Sequence, residues 1–358
     1  MSREKVMVAM SGGVDSSVTA ALLQDKGFRV VGVTMKVFPD YEQPSEDAGS
    51  CCSLELVRDA RDVASRLDIP HYTINLQQEF QKQVIDNFVE EYSQARTPNP
   101  CVVCNREIKF KRLLWKALEI DCDYLATGHY ARIQHNPGQR HLLKKARDES
   151  KDQTYMLYVL SQFQLAHTLM PLGAYTKREV RKLARDYGFV NADREESQEI
   201  CFIPDDDYTR FLEENYSGFR EQGPIYDRQG NKLGQHQGLH RYTIGQRRGL
   251  GISLSHPVYV IGMDKERNAL IVGEDEAVYC RQLQADTINW IALDSLSQPR
   301  QATVKIRYNS PEVPATLYPE AEDRVRVIFE EAQRAITPGQ SVVFYDGDSV
   351  LGGGIITD

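Results

Sequence analysis

Ser11-Gly-Gly-Val-Asp-Ser-Ser17 directly follows a short apolar run, Lys5–Met10, and opens a segment, Ser16–Lys26, that reads as a helix. Two adjacent glycines let the backbone turn sharply with positive φ and bring N–H groups close to an anion. Ser16 and Ser17 open the helix, whose N-terminal amides and dipole favour a phosphate. Asp15 would be repelled by a bare phosphate, so its presence points to a magnesium ion between carboxylate and pyrophosphate. A Gly-Gly turn with an ordinary Asp/Ser helix cap is the alternative reading. The string is neither a Walker loop, lacking Gly-Lys-Ser/Thr, nor a Gly-x-Gly-x-x-Gly dinucleotide loop.

Working outward, strand-like and helix-like segments alternate. Arg29–Met35 is β-branched, Leu54–Leu67 carries apolar residues at helical spacing, and His71–Leu76 reads as the next strand. Helical stretches near Phe80–Tyr92 and Asn105–Leu118 precede the strand-like Tyr124–Thr127. Such alternation predicts a Rossmann-like parallel sheet with helices on both faces, and ligands bind at the C-terminal ends of its strands. After about residue 205 the style changes to short strands separated by turns such as Asp227-Arg-Gln-Gly230 and Gly249-Leu-Gly251. The expected fold is therefore α/β plus β: a catalytic domain over 1–204, then two small β-barrel-like domains over 205–278 and 279–358.

Composition narrows the class. Hydrophobic residues make up 41% and charged residues 26%, as in an ordinary globular protein. No apolar run approaches the roughly 18 residues a membrane helix needs, and no signal or transit segment is recognisable, so a cytoplasmic protein without a membrane partner is expected. The net charge of −8 does not exclude nucleic acid, because phosphate binding needs only local basic patches. Three are present: Arg106, Lys109, Lys111, Arg112 and Lys116; Lys177, Arg178, Arg181, Lys182 and Arg185; and Arg241, Arg247 and Arg248. Each, alone, reads as a solvated face.

The seven cysteines are Cys51, Cys52, Cys101, Cys104, Cys122, Cys201 and Cys280. An odd number without a secretion signal argues for reduced thiols rather than a disulfide framework. Thr97-Pro-Asn-Pro-Cys-Val-Val-Cys-Asn-Arg-Glu-Ile-Lys-Phe110 puts two of them at the start of a helix, with Pro98 and Pro100 keeping the approach extended. A thiol there, beside Arg106 and Lys109, is expected to have a lowered pKa. Structural zinc, buried apolar cysteines and a thioredoxin-like redox pair are the competing readings.

The phosphate loop resembles that of the N-type ATP pyrophosphatases (PP-loop enzymes), which split ATP to AMP and pyrophosphate. Together with Thr97–Pro100, Cys104–Phe110, Ala126-Thr-Gly-His-Tyr130, Lys151-Asp-Gln153, Ser197–Ile203, Tyr242–Arg247 and Leu351–Ile355, it makes nearly the whole chain resemble the bacterial tRNA-specific 2-thiouridylases. That resemblance implies ATP- and Mg2+-dependent 2-thiolation of the wobble uridine of glutamate, glutamine and lysine tRNAs. ATP would lie on Ala9, Met10, Ser11, Gly12, Gly13, Val14, Asp15 and Ser16, with Met35 and Gly128 near the adenosine. Cys201 would carry a persulfide supplied by a sulfur-relay donor protein. Cys104 would be its catalytic partner, either releasing sulfide or resolving the intermediate as a Cys104–Cys201 disulfide.

The resemblance further implies that Asn99, Pro100 and Cys101 meet the target base. His129, Lys151, Asp152, Gln153, Arg307, Tyr308 and Gln340 would contact tRNA. Many members carry Asp where this chain has Cys101. With cysteine there, Cys101, Cys104 and Cys201 are candidate ligands of a 4Fe–4S cluster holding hydrosulfide on its open iron, which is the alternative mechanism.

Overall fold

A computed structural model describes residues 4–38, 54–194, 200–203 and 205–358. Its first layer is a parallel sheet of β1 (Lys5–Ala9), β2 (Arg29–Lys36), β3 (His71–Asn75), β4 (Tyr124–Ala126) and a short fifth strand, Thr168–Leu169. The order is β3-β2-β1-β4 and then Thr168–Leu169, with every pair parallel. β1 is central and covered on both faces, which is why Val6, Met7 and Val8 form an unbroken apolar run with no exposure. Successive side chains point to opposite faces. Val6 and Val8 enter one core with α1 (Val14–Asp25) and α2 (Leu54–Arg66); Met7 enters another with Phe110, Leu113, Tyr155 and Tyr158.

The chain winds from β1 to β2 to β3 in one direction, then returns to place β4 on the other side of β1. The crevice at such a reversal lies beyond the carboxyl ends of β1 and β4. The loops leaving those strands are 10–13 and 127–131, and they carry the two motifs of most interest.

The central module is a four-stranded sheet of Tyr259–Asp264, Ala269–Gly273, Gly223–Tyr226 and Lys232–His236, in that order. Its core includes Ile225, Tyr242, Leu250, Val260, Leu270 and Val272, so Tyr242 of the Tyr242–Arg247 motif is a packing residue. The C-terminal module is a closed six-stranded barrel, because its first strand, Tyr279–Trp290, also pairs with its last, Ser349–Ile356. Closure removes the free edges. A hairpin from the first domain, Arg132–Gln134 with Leu142–Lys144, extends the barrel sheet through a Ser349–Lys144 pairing.

Strand alternation makes the barrel two-faced. Val342 and Phe344 fill its interior, whereas Val343 and Tyr345 join the core around Tyr155 and Tyr158 of the first domain. The Tyr155 hydroxyl donates to the Ser341 carbonyl at 2.7 Å, and the Tyr158 hydroxyl lies 3.2 Å from both Ser341 Oγ and the Gly354 carbonyl. Among the described residues, no helix is long and apolar enough to cross a membrane. Tyr155→Phe leaves a buried carbonyl without that donor and is expected to lower stability by about 1–3 kcal/mol, measured by urea unfolding.

Candidate active site

The phosphate loop is held open by hydrogen bonds made on its inner side. Gly12 has φ +80° and is buried. A β-carbon there would lie 2.2 Å from the Leu56 carbonyl oxygen. Ser16 Oγ and Ser17 Oγ donate to the Gly13 carbonyl at 3.0 and 3.1 Å, and the Ser11 amide donates to Ser16 Oγ at 3.1 Å. Asn191 Nδ2 donates to the Gly12 carbonyl at 2.6 Å and to Ser17 Oγ at 3.0 Å. With the carbonyls turned inward and no side chain capping α1, the first-turn amides face outward as an anion site. Met10 and Val14 are 2% and 4% exposed, so they belong to the core and offer a ligand only their backbone.

β4 delivers a second loop onto the first. A β-carbon on Gly128 would sit 2.9 Å from the Asp15 carbonyl carbon and the Ser16 amide nitrogen, so only glycine allows this contact. Tyr130 OH donates to Asp15 Oδ1 at 2.8 Å. Lys177 Nζ lies 2.8 Å from both Asp15 oxygens and is nearly buried. The sequence places Lys177 in a solvated basic run; the fold instead turns it inward. Thr176 and Glu179 form a capping box that starts the helix Lys177–Asp186 at that residue. The Thr-x-x-Glu spacing was the available signal for that helix start, though nothing local named Asp15 as the partner.

The cysteine helix runs from 100 to 119. Asn99 Oδ1 caps it by accepting from the Val102 amide at 3.3 Å, Pro100 occupies the first turn, and Cys104–Leu113 is wound as a π-helix. Stretches of this kind are frequent at functional sites. Cys101 is exposed and Cys104 half-buried. Cys104 and Val103 pack into a cluster with Cys201, Ile200, Phe80, Phe88, Phe202 and Ile203. Met35, from the end of β2, touches both this cluster and the core under the sheet. The cationic surroundings expected for Cys104 are partly cancelled, because Glu107 takes Arg106 at 3.0 Å and Lys111 at 2.6 Å.

Among the described residues, no three His, Cys, Asp or Glu side chains are grouped to hold a metal ion, Cys101, Cys104 and Cys201 included. This arrangement does not fit the three-thiolate cluster ligation raised above. Cys51, Cys52 and Ser197–Glu199 lie outside the described residues. Cys122 is buried, and burial pushes its thiol up; Cys280 is exposed on the barrel. A magnesium ion asks less of the protein. It is commonly held by one or two carboxylates plus substrate phosphates, and Asp15 at the loop meets that requirement.

The residues named as tRNA contacts fall into two groups. Beside the phosphate loop, the His129 ring packs 5.7 Å from that of Phe110 and its Nδ1 is 2.8 Å from Thr127 Oγ1. Gln153 clamps Tyr130, donating its amide to the Tyr130 carbonyl and accepting the Tyr130 amide at Oε1, both at 2.9 Å. Asp152 accepts from the Ala146 amide at 2.8 Å and from Thr154, and burial raises its pKa. Lys151 ends the adjoining turn and is half-buried. On the barrel, Arg307 donates to the Arg334 carbonyl at 3.3 Å, and the Tyr308 ring lies 6.1 Å from that of Tyr155. Gln340 Nε2 donates to the Thr97 carbonyl at 2.8 Å.

A family model described as the tRNA methyl transferase HUP domain matches residues 4–205. Models of a tRNA methyl transferase PRC-barrel domain and an aminomethyltransferase beta-barrel domain match 209–274 and 280–356. A tRNA-specific 2-thiouridylase MnmA of Halothermothrix orenii is 62% identical over 99% of both chains. The chain belongs to the tRNA-specific 2-thiouridylase family. Further 2-thiouridylases resemble it at 55% identity, in Symbiobacterium thermophilum over 99% of this chain and 92% of that one, and at 50%, in Acetivibrio thermocellus over 99% and 100%.

Several histidines of this 2-thiouridylase have their pKa lowered by burial. Burial, aided by Lys109, holds His129 well below its usual 6.5, and burial first lowers His71, His236 and His240 as well. The unfolded chain therefore binds protons near that value which the native state refuses. Stability is full above about pH 6.5 and falls as pH drops toward the folded values. His129→Gln is expected to flatten the loss of urea stability between about pH 7.5 and 5.5.

Proposed function

We propose that ATP binds the Gly12–Ser16 loop, with Met35 and Gly128 beside the adenosine, and adenylates the C2 oxygen of the wobble uridine in glutamate, glutamine and lysine tRNAs. Oxygen leaves as AMP, and pyrophosphate is the other product. Cys201 carries a persulfide whose sulfur comes from a sulfur-relay donor protein. Its terminal sulfur attacks C2 and expels AMP. The Cys104 thiolate then attacks the Cys201 sulfur, which frees 2-thiouridine and closes a Cys104–Cys201 disulfide. An external thiol reduces the disulfide for the next turnover. If Cys104 attacks the persulfide first, hydrosulfide departs and becomes the nucleophile, with the same disulfide formed. The site for this work is the cytoplasm.

One observation carries this reading: the chain brings Cys104 and Cys201 into one side-chain cluster that Met35 links to the sheet bearing the phosphate loop. Adenylation supplies the good leaving group that an unactivated carbonyl lacks. Magnesium held at Asp15 would neutralise phosphate charge, and Lys177 is the protein's own cation beside it. Methyl transfer, the activity named in the family model's description, calls for neither an Asp15-type phosphate loop nor paired thiols. Asn99, Pro100 and Cys101 surround the helix start where the base would enter, and a base must leave its stack to react. His129, Lys151, Arg307 and Tyr308 are the groups proposed to hold the flanking anticodon loop.

The test uses ATP, magnesium, a persulfide donor and unmodified tRNA under anaerobic conditions. Cys104→Ser and Cys201→Ser are each expected to cut thiouridine formation at least about a hundredfold while single-turnover pyrophosphate release persists. Lys177→Met is expected to slow pyrophosphate release itself by about tenfold or more. Thiolation within about twofold of the parent in either serine variant would overturn the proposed thiol roles.

A further inference from the structure

The barrel does more at the cysteine helix than stand beside it. Its turn at 337–340 lies on the segment 96–100, just ahead of Cys104. The Thr97 amide donates to the Pro338 carbonyl at 2.9 Å, and Gln340 Nε2 donates to the carbonyls of Thr97 at 2.8 Å and Pro98 at 3.4 Å. Gly339, with φ +90°, leaves no room between them: a β-carbon would sit 2.9 Å from the Thr97 nitrogen and 3.0 Å from its carbonyl oxygen. The turn is in turn fixed to the last barrel strand, since the Gly339 amide donates to the Ile356 carbonyl at 2.9 Å and the Ile356 amide to the Gln340 carbonyl at 2.8 Å.

The Thr97 hydroxyl and Asn105 Oδ1, one on each side of the helix start, are buried and meet no hydrogen-bond partner among the described residues. The segment is held through its backbone. The barrel turn is the neighbour that contacts its backbone on three atoms.

We propose that Gly339 and Gln340 are positioning residues for Cys104. The barrel, through this turn, sets where the cysteine helix begins and so where the thiol stands for sulfur transfer. The Gln340 amide makes this contact through its bonds to the Thr97 and Pro98 carbonyls. The catalytic half of this statement rests on the role given to Cys104 above; the geometric half does not.

Gly339→Ala decides the matter, because that residue has no side chain with which to touch RNA; Gln340→Ala is the second variant. In Gly339→Ala, the tRNA dissociation constant and single-turnover pyrophosphate release should stay within about twofold of the parent. The single-turnover rate of thiolation at saturating tRNA should fall about tenfold or more, since a misplaced reacting group is costly. Alkylation of Cys104 in the RNA-free protein, read by mass spectrometry against Cys280, should change at least about threefold while urea unfolding stays cooperative. Unchanged Cys104 alkylation overturns the proposal, as does a tRNA dissociation constant that rises in step with the loss of rate in Gly339→Ala. A Cys104→Ser enzyme that still thiolates defeats the thiol assignment alone and leaves the alkylation result standing.

Discussion

Two loops meet at the carboxyl end of the parallel sheet because the β4 loop carries no β-carbon where it passes the phosphate loop, and the phosphate loop carries none where it passes α2. Gly12 turns under the Leu56 carbonyl and Gly128 lies against Asp15 and Ser16. Any side chain at either point would push α2 or the β4 loop away and break the crevice. The consequences spread from there. Once the turn is made, Ser16, Ser17 and Asn191 bind its carbonyls, its amides face outward, and Asp15 is brought to Tyr130 and Lys177. The anion site proposed here would rest on backbone geometry, which these side chains keep in place.

The electrostatics of the pair Asp15–Lys177 follow from the same crowding. A carboxylate beside an anion site needs a compensating charge, and a partly buried ion pair is tolerable only with good geometry and further hydrogen bonds. Both Asp15 oxygens meet Lys177, and Tyr130 supplies the additional bond. A chain of net charge −8 therefore keeps a nearly buried cation at the one place where a polyphosphate would be handled, which bulk charge conceals.

Much of the fold was legible because its signals are local. Val6–Val8 reads as a short apolar run directly before the glycines, and Gly12–Gly13 ahead of a helix reads as a sharp turn. The late change to short strands and turns likewise marked the β modules. Features built from distant partners were not legible. Lys177 looked like one of five surface cations because its partner is Asp15. The hairpin Arg132–Gln134 with Leu142–Lys144 gives no hint that it joins a barrel whose strands begin at Tyr279. Gln340 is a lone polar residue in sequence, and only the fold shows its amide on the Thr97 carbonyl. The cationic setting expected for Cys104 is partly cancelled for a local reason: Glu107 pairs with Arg106.

The aromatic shell around the two thiols gives the arrangement its chemical sense. Phe202 contacts Phe80 and Phe88 edge to face within the cluster that holds Cys104 and Cys201. A persulfide is an easily lost form of sulfur, exposed to water-borne thiols and oxidants. Apolar rings limit that access, but they also disfavour the thiolate that exchange requires. Both thiols stand half-buried at the edge of the shell rather than inside it, which would meet both demands of the proposed chemistry. Placement at an edge is only as reliable as the backbone that supplies it. That is why a cysteine helix capped by Asn99 and braced by a barrel turn suits this chemistry better than an unsupported loop.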